Sequence, residues 1–440
     1  MTTRRFGAVG GLLAAFAGIG IAAATLVDAA PSSPPAPRRP SGAVTTLRVA
    51  THYNAQQIAP LVACFRRYEA QHPGLRIVHQ QVSYSDYFQT IMVSRAGRSP
   101  IDIYSLNSIW SPQLIGTGAL DPPPDDIQGF VRARYTPATV GAATVRDRLW
   151  GIPSAVSAYQ LVYNKRLLAA AGVRAPPRDW AELTRTAAAI TRTNRQGNIL
   201  VGGYAFGPQV SDVTHTFYAM MYAAGVPPYT PDLRATNLRS PTAVRIVTQQ
   251  ANLFRRGITS NSVSSLLFAQ GAVGMAVIAN WQKDTLKTAL GDRFASTVGV
   301  APIPTDGPGG TMIYSFFWAV DAQSQEKRQA WDLLRWLNSP RGNGGLSCVG
   351  EMLADIGDLT GNSADLAAMR DRITDPFSRQ YVAALRAPGA ASQPNLWHAE
   401  EVDRLLKYYI ELAWAGRMTP ADALARADDQ IRAILAEQPN

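Results

Sequence analysis

The sequence predicts an α/β fold in two units, each a mostly parallel sheet flanked by helices. The chain has 440 residues, which is more than one hydrophobic core usually organises. Short apolar strand patterns alternate with amphipathic helix patterns from Thr46 onward, and this alternation is typical of parallel sheets with helices on both faces. The apolar fraction of 46% is ordinary and is sufficient for a large core.

The N-terminus has the pattern of an export segment. Arg4 and Arg5 precede an uncharged run from Phe6 to Val27, and Val27-Asp28-Ala29 has the small residues of a signal-peptide cleavage site. The uncharged run is also long enough for a spanning helix of about 20 residues. Residues 1–30 are therefore a signal peptide or an N-terminal membrane anchor, and both alternatives place the rest of the chain outside the cytoplasm.

Residues 31–44, rich in Pro, Ser and Arg, are the predicted linker. Beyond it, apolar runs bounded by turn residues predict strands at 47–50, 75–82, 101–105, 160–165, 273–278, 298–301 and 313–320. Helical periodicity predicts helices at 58–71, 85–96, 111–116, 167–172, 181–192, 213–224, 241–256, 280–290, 326–337, 377–385, 402–415 and 420–435. Asp179 is the predicted N-cap of helix 181–192, and 121–126 is a predicted turn.

The chain is expected to cross between the two units near Pro153 and to return near residue 310. We assign residues 45–153 with 310–360 to the first lobe and residues 154–309 with 361–440 to the second.

The chain contains two cysteines, Cys64 and Cys348. In an oxidising compartment we expect them to form one disulfide, which would tie the first helix to a much later one; two buried free thiols are the alternative. Neither cysteine has a second ligand at metal-binding spacing, and the five histidines form no such spacing either, so no metal or cofactor is expected.

The formal net charge is +10. The arginines are scattered through the chain, and the exported location excludes nucleic acid from the expected partners. A general attraction to acidic envelope polymers or lipid head groups is the remaining hypothesis.

A set of segments in fixed order identifies a family resemblance: Pro100–Tyr104, Ile115–Asp121, Tyr163–Gly172, Pro177–Trp180, Phe268–Trp281, Val298–Pro304, Trp318–Asp321, Ala330–Pro340 and Gly416–Leu424. Together they resemble the extracellular solute-binding proteins of carbohydrate ABC importers, of the maltodextrin and glycerol-phosphate type (family 1). The resemblance covers nearly all of residues 46–436.

The resemblance implies a two-lobed periplasmic-binding-protein fold, in which crossing strands join the lobes and a sugar binds in the cleft between them. It also implies a hinge that closes over the ligand, a monomer, and the permease subunits of an ABC importer as partners. In this family, aromatic rings stack on the sugar and polar groups bind its hydroxyls.

The expected ligand contacts follow from strand ends and from family position. α/β proteins bind ligands at the carboxyl ends of strands, which selects Tyr53, Asn54, Asn107, Trp110, Asn280 and Trp281. The resemblance implies that Trp281 is a stacking aromatic, since relatives often place one at this position, and capping of the lobe core is its alternative role. Ser157 and Tyr159 come just after the crossover at Pro153 and are expected to face the hinge and the cleft. Family position adds Ser315, Phe316, Trp397 and Glu400.

Two of these choices leave an alternative open. Strand alternation places Tyr314, Phe316 and Trp318 on one face and Ser315 and Phe317 on the other, and the sequence does not decide which face is core. Asp86 can accept hydrogen bonds from a sugar, but Ser85 and Asp86 are better explained as a helix N-cap.

Catalysis is the weaker hypothesis. The chain has no Gly-x-Ser-x-Gly, no His-Glu-x-x-His and no Gly-x-x-x-x-Gly-Lys, so a secreted glycoside-active enzyme is not expected. A binding protein of the same fold for a glycerophosphodiester or a polyamine is the stronger alternative. An Arg-lined cleft would favour phosphorylated ligands, whereas an acid-lined cleft would favour amino sugars or polyamines. Glu400 and Asp86 favour a neutral or amino-bearing carbohydrate.

Overall fold

The computed structural model describes residues 44–97, 101–342, 345–370, 373 and 375–438. The predicted signal or anchor, residues 1–30, and the predicted linker up to residue 43 lie outside the described residues. Within the described ranges, none of the helices is both long and apolar enough to cross a membrane.

The described strands are β1 Thr45–Thr51, β2 Leu75–Gln81, β3 Ile103–Asn107, β4 Leu120–Asp121, β5 Thr144–Val145, β6 Arg148–Leu149, β7 Ile152–Asn164, β8 Arg192–Thr193, β9 Ile199–Tyr204, β10 Val273–Ala279, β11 Val298–Ala301, β12 Gly310–Asp321, β13 Leu359–Thr360 and β14 Gly389–Ser392.

The described α-helices are α1 Ala55–Gln71, α2 Tyr87–Ala96, α3 Ser111–Gly116, α4 Asp125–Arg134, α5 Pro137–Ala142, α6 Lys165–Ala170, α7 Trp180–Ile190, α8 Val210–Ala223, α9 Pro241–Arg255, α10 Lys283–Leu290, α11 Phe294–Thr297, α12 Lys327–Leu337, α13 Cys348–Asp355, α14 Ser363–Ala368, α15 Pro376–Ala384, α16 Ala399–Trp414 and α17 Pro420–Ala436.

One long sheet connects the two lobes, with strand order β2-β1-β3-β12-β7-β10-β9-β8. The first lobe is built on the parallel strands β1, β2 and β3, and the second on the parallel pair β9 and β10. Strand β7 has 13 residues: its first part pairs antiparallel with β12 and its second part with β10 and β11. Strand β7 therefore pairs with strands on both sides of the sheet.

The predicted crossover near Pro153 is the beginning of β7, and the predicted strand 160–165 is its end. The middle of β7 lacks the polar and apolar alternation that predicts a strand, because both of its faces are buried. A register shift between β7 and β12 near Phe316 adds one residue to β7. Such bulges redirect neighbouring side chains.

Most predicted helices agree with the structure to within a few residues, and Asp179 caps α7 by accepting a hydrogen bond from the Glu182 amide at 2.7 Å. Strand β9 was missed because Gly202 and Gly203 weaken its strand pattern. The glycine at 203 is needed, since a Cβ there would come within 1.8 Å of the Ala187 carbonyl oxygen in α7. Short helices α4, α5, α13 and α14 were also missed, and the predicted turn 121–126 runs into α4.

Cys64 in α1 and Cys348 at the start of α13 form a disulfide whose Cα atoms are 6.2 Å apart. Both cysteines are fully buried. The guanidinium of Arg67 lies 2.7 Å from the Cys64 sulfur. The bond fixes α13 against α1, and α13 leads directly into residues 356–358.

We predict that replacing both cysteines with serine lowers the free energy of unfolding by about 2–4 kcal/mol, because the bond closes a loop that spans 284 residues. Urea denaturation of the double variant measures the effect, and wild type with and without a reductant is the control. Equal unfolding midpoints for the variant and the oxidised wild type would contradict the prediction.

A candidate ligand-binding cleft

A cavity of about 390 Å³ lies between the two lobes, beside the crossing strands. Its walls come from the ends of β1 and β10, the first turn of α10, strand β12 and the segment before β13. The lining residues are His52, Tyr53, Gln57, Tyr84, Gln209, Trp281, Asp284, Thr285, Tyr314, Phe316, Ile356 and Asp358. Strands β1 and β10, each of which pairs in parallel with a neighbour in its own lobe, therefore end at one cavity. This is expected for α/β ligand sites.

Aromatic rings form one wall of the cavity. The His52 ring stacks on Phe316 with centroids 4.5 Å apart and contacts Tyr53 at 4.1 Å. Burial lowers the pKa of His52 to about 4, so this imidazole is neutral at physiological pH and behaves as part of the apolar surface. Trp281 remains 44% exposed at the cavity edge, which leaves the face of a large ring available to a ligand.

A buried carboxylate supplies the main polar group of the cavity. Asp358 Oδ1 accepts hydrogen bonds from Asn280 Nδ2 at 2.7 Å and from the Leu359 amide at 3.0 Å, with Ser157 Oγ at 3.4 Å. Burial raises the pKa of Asp358 to about 7, against the opposing effect of these donors. Asn280 also accepts from the Ala158 amide at 2.8 Å, so the predicted residue Asn280 joins β10, β7 and Asp358.

A second polar cluster fixes two tyrosines that line the cavity beside Phe316. Asn107 Nδ2 donates to the hydroxyl oxygens of Tyr84 and Tyr314, each at 2.6 Å, and the two hydroxyls are 3.1 Å apart. Asn107 is fully buried. It therefore lies behind the wall and holds two cavity-lining rings, although the sequence predicts it as a direct contact.

No lining residue of this cavity is Lys or Arg, whereas two of them, Asp284 and Asp358, are acidic. The described part of the chain also shows no cluster of three or more His, Cys, Asp or Glu side chains that could hold a metal ion. The arrangement thus combines aromatic surfaces, neutral amides and carboxylate acceptors, which is a set suited to binding hydroxyl and ammonium groups.

Residues 53–344 match the family model described as bacterial extracellular solute-binding protein. The chain belongs to this family. The solute-binding proteins of this family are exported, which agrees with the extracytoplasmic location predicted from the N-terminus.

Relatives and solved structures agree with this assignment. A putative binding protein of Brucella abortus is 24% identical over 384 residues, covering 82% of this chain and 87% of that protein. A probable ABC transporter-binding protein of Deinococcus radiodurans is 28% identical over 262 residues, covering 55% and 59% of the two chains.

Two solved structures show the two-lobed fold. A cyclic α-maltosyl-1,6-maltose binding protein from Arthrobacter globiformis has a TM-score of 0.74 at 23% identity and covers 89% of this chain and 99% of that one. The sugar-binding protein MalE from Xanthomonas citri has a TM-score of 0.74 at 19% identity and covers 89% and 98%.

The structure brings only part of the predicted site to the cavity of this solute-binding protein. Tyr53, Trp281 and Phe316 line it. Asn107, Asn280 and Ser157 lie directly behind its walls. Tyr159 is buried, and its hydroxyl lies 3.0 Å from His215 Nδ1.

The remaining predicted residues lie elsewhere. Trp110 Nε1 donates to Glu400 Oε1 at 2.8 Å, and Trp397 packs against Gly116. Asn54 is exposed and caps α1 by accepting from the amides of Gln56 and Gln57, both at 3.0 Å.

Two expectations about polar residues need correction. Ser315 is buried away from the cavity, whereas Tyr314 and Phe316 line it, so the cavity face is the one that alternation assigns to those two rings. Asp86 makes no capping hydrogen bond to the start of α2; its carboxylate instead accepts from Ser83 Oγ at 2.6 Å.

Sequence reasoning missed nine lining residues: His52, Gln57, Tyr84, Gln209, Asp284, Thr285, Tyr314, Ile356 and Asp358. Two of them could be predicted from the sequence, since His52 adjoins Tyr53 after β1, and Tyr314 shares a strand face with Phe316. Asp358 could not be predicted to line the cavity, because the short elements on either side of it were not predicted.

We predict that Asp358→Asn gains stability relative to wild type as the pH rises from 4 to 7. The folded pKa, about 7, exceeds the value of about 3.9 for an unfolded Asp. In this window the native state holds the proton while the unfolded chain has released it, so the free energy of unfolding of wild type falls as the pH rises through the window. We expect the difference in the free energy of unfolding to grow by on the order of 2–4 kcal/mol.

Urea denaturation at pH 4.5, 6 and 8 measures this difference. Asp284→Asn, which changes an exposed carboxylate of the same cavity, is the matched control and should show no such trend. A stability difference for Asp358→Asn that is independent of pH would contradict the prediction.

Proposed function

We propose that this solute-binding protein captures a neutral or amino-bearing carbohydrate between its lobes and delivers it to the permease subunits of an ABC importer. The observation that supports this most is the composition of the cavity, which combines aromatic rings with carboxyl and amide groups and has no Lys or Arg among its described lining residues. We infer that binding, and not catalysis, is its activity.

The aromatic wall suits the apolar face of a pyranose. Trp281 offers an exposed ring, and the pair of His52 and Phe316 offers a second flat surface. Hydroxyl groups need acceptors and donors around this surface, and the side chains of Gln57, Gln209 and Thr285 provide them at the cavity wall. Ligand sites commonly combine such apolar walls with a few polar groups.

The charges of the cavity favour some ligands over others. A phosphate group would meet Asp284 and Asp358 and no Lys or Arg, which disfavours a glycerophosphodiester. An ammonium group would find carboxylate partners, which supports an amino sugar. The same two carboxylates favour a polyamine as the second candidate.

The named ligands of similar structures are carbohydrates. Besides the Arthrobacter protein, a Thermotoga lettingae solute-binding protein with a TM-score of 0.75 and 19% identity was solved with α-D-tagatose. The cavity volume lies near the lower end of the range for small-molecule sites, which supports a short carbohydrate.

The domain boundaries belong to the proposal as well. We retain lobes of residues 45–153 with 310–360 and of residues 154–309 with 361–440, which move about β7 and β12 during closure. We also retain a monomer held outside the cytoplasm, with or without residues 6–27 as an anchor.

We predict that one carbohydrate group raises the melting temperature of the full-length chain in a thermal-shift panel of mono- and oligosaccharides, amino sugars, glycerophosphodiesters and polyamines. At 100 times its dissociation constant, a ligand stabilises the fold by about 2.7 kcal/mol. Trp281→Ala should weaken binding of that carbohydrate at least about tenfold, since it removes a stacking surface.

Tyr408→Ala is the matched control, because Tyr408 is a 57% exposed aromatic outside the cavity. A shift with polyamines alone would establish the second candidate and refute the carbohydrate. Equal affinity of wild type and Trp281→Ala would refute the role of this ring.

A further inference from the structure

The start of α16 contacts a segment of the first lobe outside the cavity. Trp110 Nε1 donates to Glu400 Oε1 at 2.8 Å. Gln113 Nε2 and His398 Nδ1 are 3.5 Å apart. The Trp397 ring lies so near Gly116 that a Cβ at this glycine would come within 2.8 Å of two ring carbons.

The two sides of this contact belong to different lobes. Residues 108–116, which form a 3₁₀ turn and α3, follow β3 of the first lobe. Helix α16 packs against α8, α9 and α17, which lie after β9 in the second lobe. The contact therefore bridges the lobes.

We propose that Trp110 and Glu400 form a latch that holds the lobes closed and positions the cavity wall at Tyr84. The latch rests on the proposed function, since it acts on the same cleft. Neither residue lines the cavity. They are positioning residues and not ligand contacts, which replaces the ligand-binding role predicted for both from the sequence.

Ring packing couples the position of Trp110 to the position of the cavity wall. The Trp110 ring is stacked on Tyr87 with centroids 5.5 Å apart and an interplanar angle of 10°. Its other neighbour is Tyr84, at 5.2 Å and 34°. Tyr84 lines the cavity, and its hydroxyl oxygen accepts from Asn107 Nδ2. One ring therefore separates the latch from the ligand site.

The backbone conformation at the start of α16 supports a specific role for the contact between Trp110 and Glu400. His398, the N-cap residue of α16, has φ 51° and ψ 40°, in the left-handed region that a non-glycine residue rarely adopts. This conformation turns the chain between Trp397 and Glu400, which both contact the first lobe. Strained backbone of this kind persists where the surrounding contacts hold it.

The latch acts on only one of two states. When the lobes separate, the hydrogen bond between Trp110 and Glu400 breaks and both groups bind water. The hydrogen bond is therefore present only in the closed state. A contact present in one state shifts the equilibrium toward that state. A ligand leaves the cleft through the open state, so a contact that favours the closed state slows its release.

Two substitutions of Glu400 distinguish loss of the Trp110 hydrogen bond from loss of the carboxylate charge. Glu400→Ala removes the acceptor of the Trp110 hydrogen bond. Glu400→Gln keeps an oxygen acceptor but removes the charge that lies 3.7 Å from Arg404. Glu411→Ala is the matched control on the same helix, because Glu411 pairs with Lys407 on the exposed surface.

Stopped-flow kinetics of the full-length chain with maltose and with glucosamine provides the first measurement. We expect Glu400→Ala to raise the dissociation rate constant about tenfold, and Glu400→Gln and Glu411→Ala to match wild type. Equal dissociation for Glu400→Ala and wild type would overturn the latch. Faster dissociation of Glu400→Gln would also overturn it, by assigning the effect to the Arg404 ion pair.

Small-angle X-ray scattering in the absence of carbohydrate provides the second measurement. We expect a larger radius of gyration for Glu400→Ala than for wild type and Glu411→Ala. Equal radii would overturn the latch. If wild type binds neither probe, maltose and glucosamine are excluded as ligands, and the scattering comparison still decides the latch.

Discussion

The antiparallel pairing of β7 with β12 is the constraint on which the rest of the structure depends. Both strands are long and almost fully buried, and β7 is shared between the sheets of the two lobes. Because these strands run through the middle, the ends of β1 and β10 meet at one cavity. A register shift beside Phe316 occurs where β12 forms the cavity wall, so the crossing strands and the cavity share residues.

Two polar networks fix the walls of the cavity beside the crossing strands. Asn280 joins β10 to β7 and to Asp358, and Asn107 joins β3 to the tyrosines of the wall. Buried polar groups of this kind are costly unless they are paired. Full pairing of these two amides therefore fixes the wall in one arrangement, while burial raises the pKa of the Asp358 carboxyl group at the cavity.

The sequence predicts those parts of the molecule that local patterns determine. The amphipathic pattern of α12 places Trp331 and Leu334 in the core, and strand β11 has its predicted bounds. The aromatics Tyr53, Trp281 and Phe316 reach the cavity because each follows or lies in a recognised strand. Asp358 and Tyr84 were not predictable, since the tertiary contacts of Asn280 and Asn107 bring them to the cavity, and no pattern in their own segments reports those contacts.

Hydrogen–deuterium exchange with and without the carbohydrate of largest thermal shift tests the central claim, that the ligand binds in the cleft beside β7 and β12. The ligand should slow the exchange of amides in segments that carry lining residues, above all 281–286 and 356–359. Amides near α6, remote from the cavity lining, should be unchanged. Slower exchange confined to residues 163–176, with none at the cavity, would contradict this account.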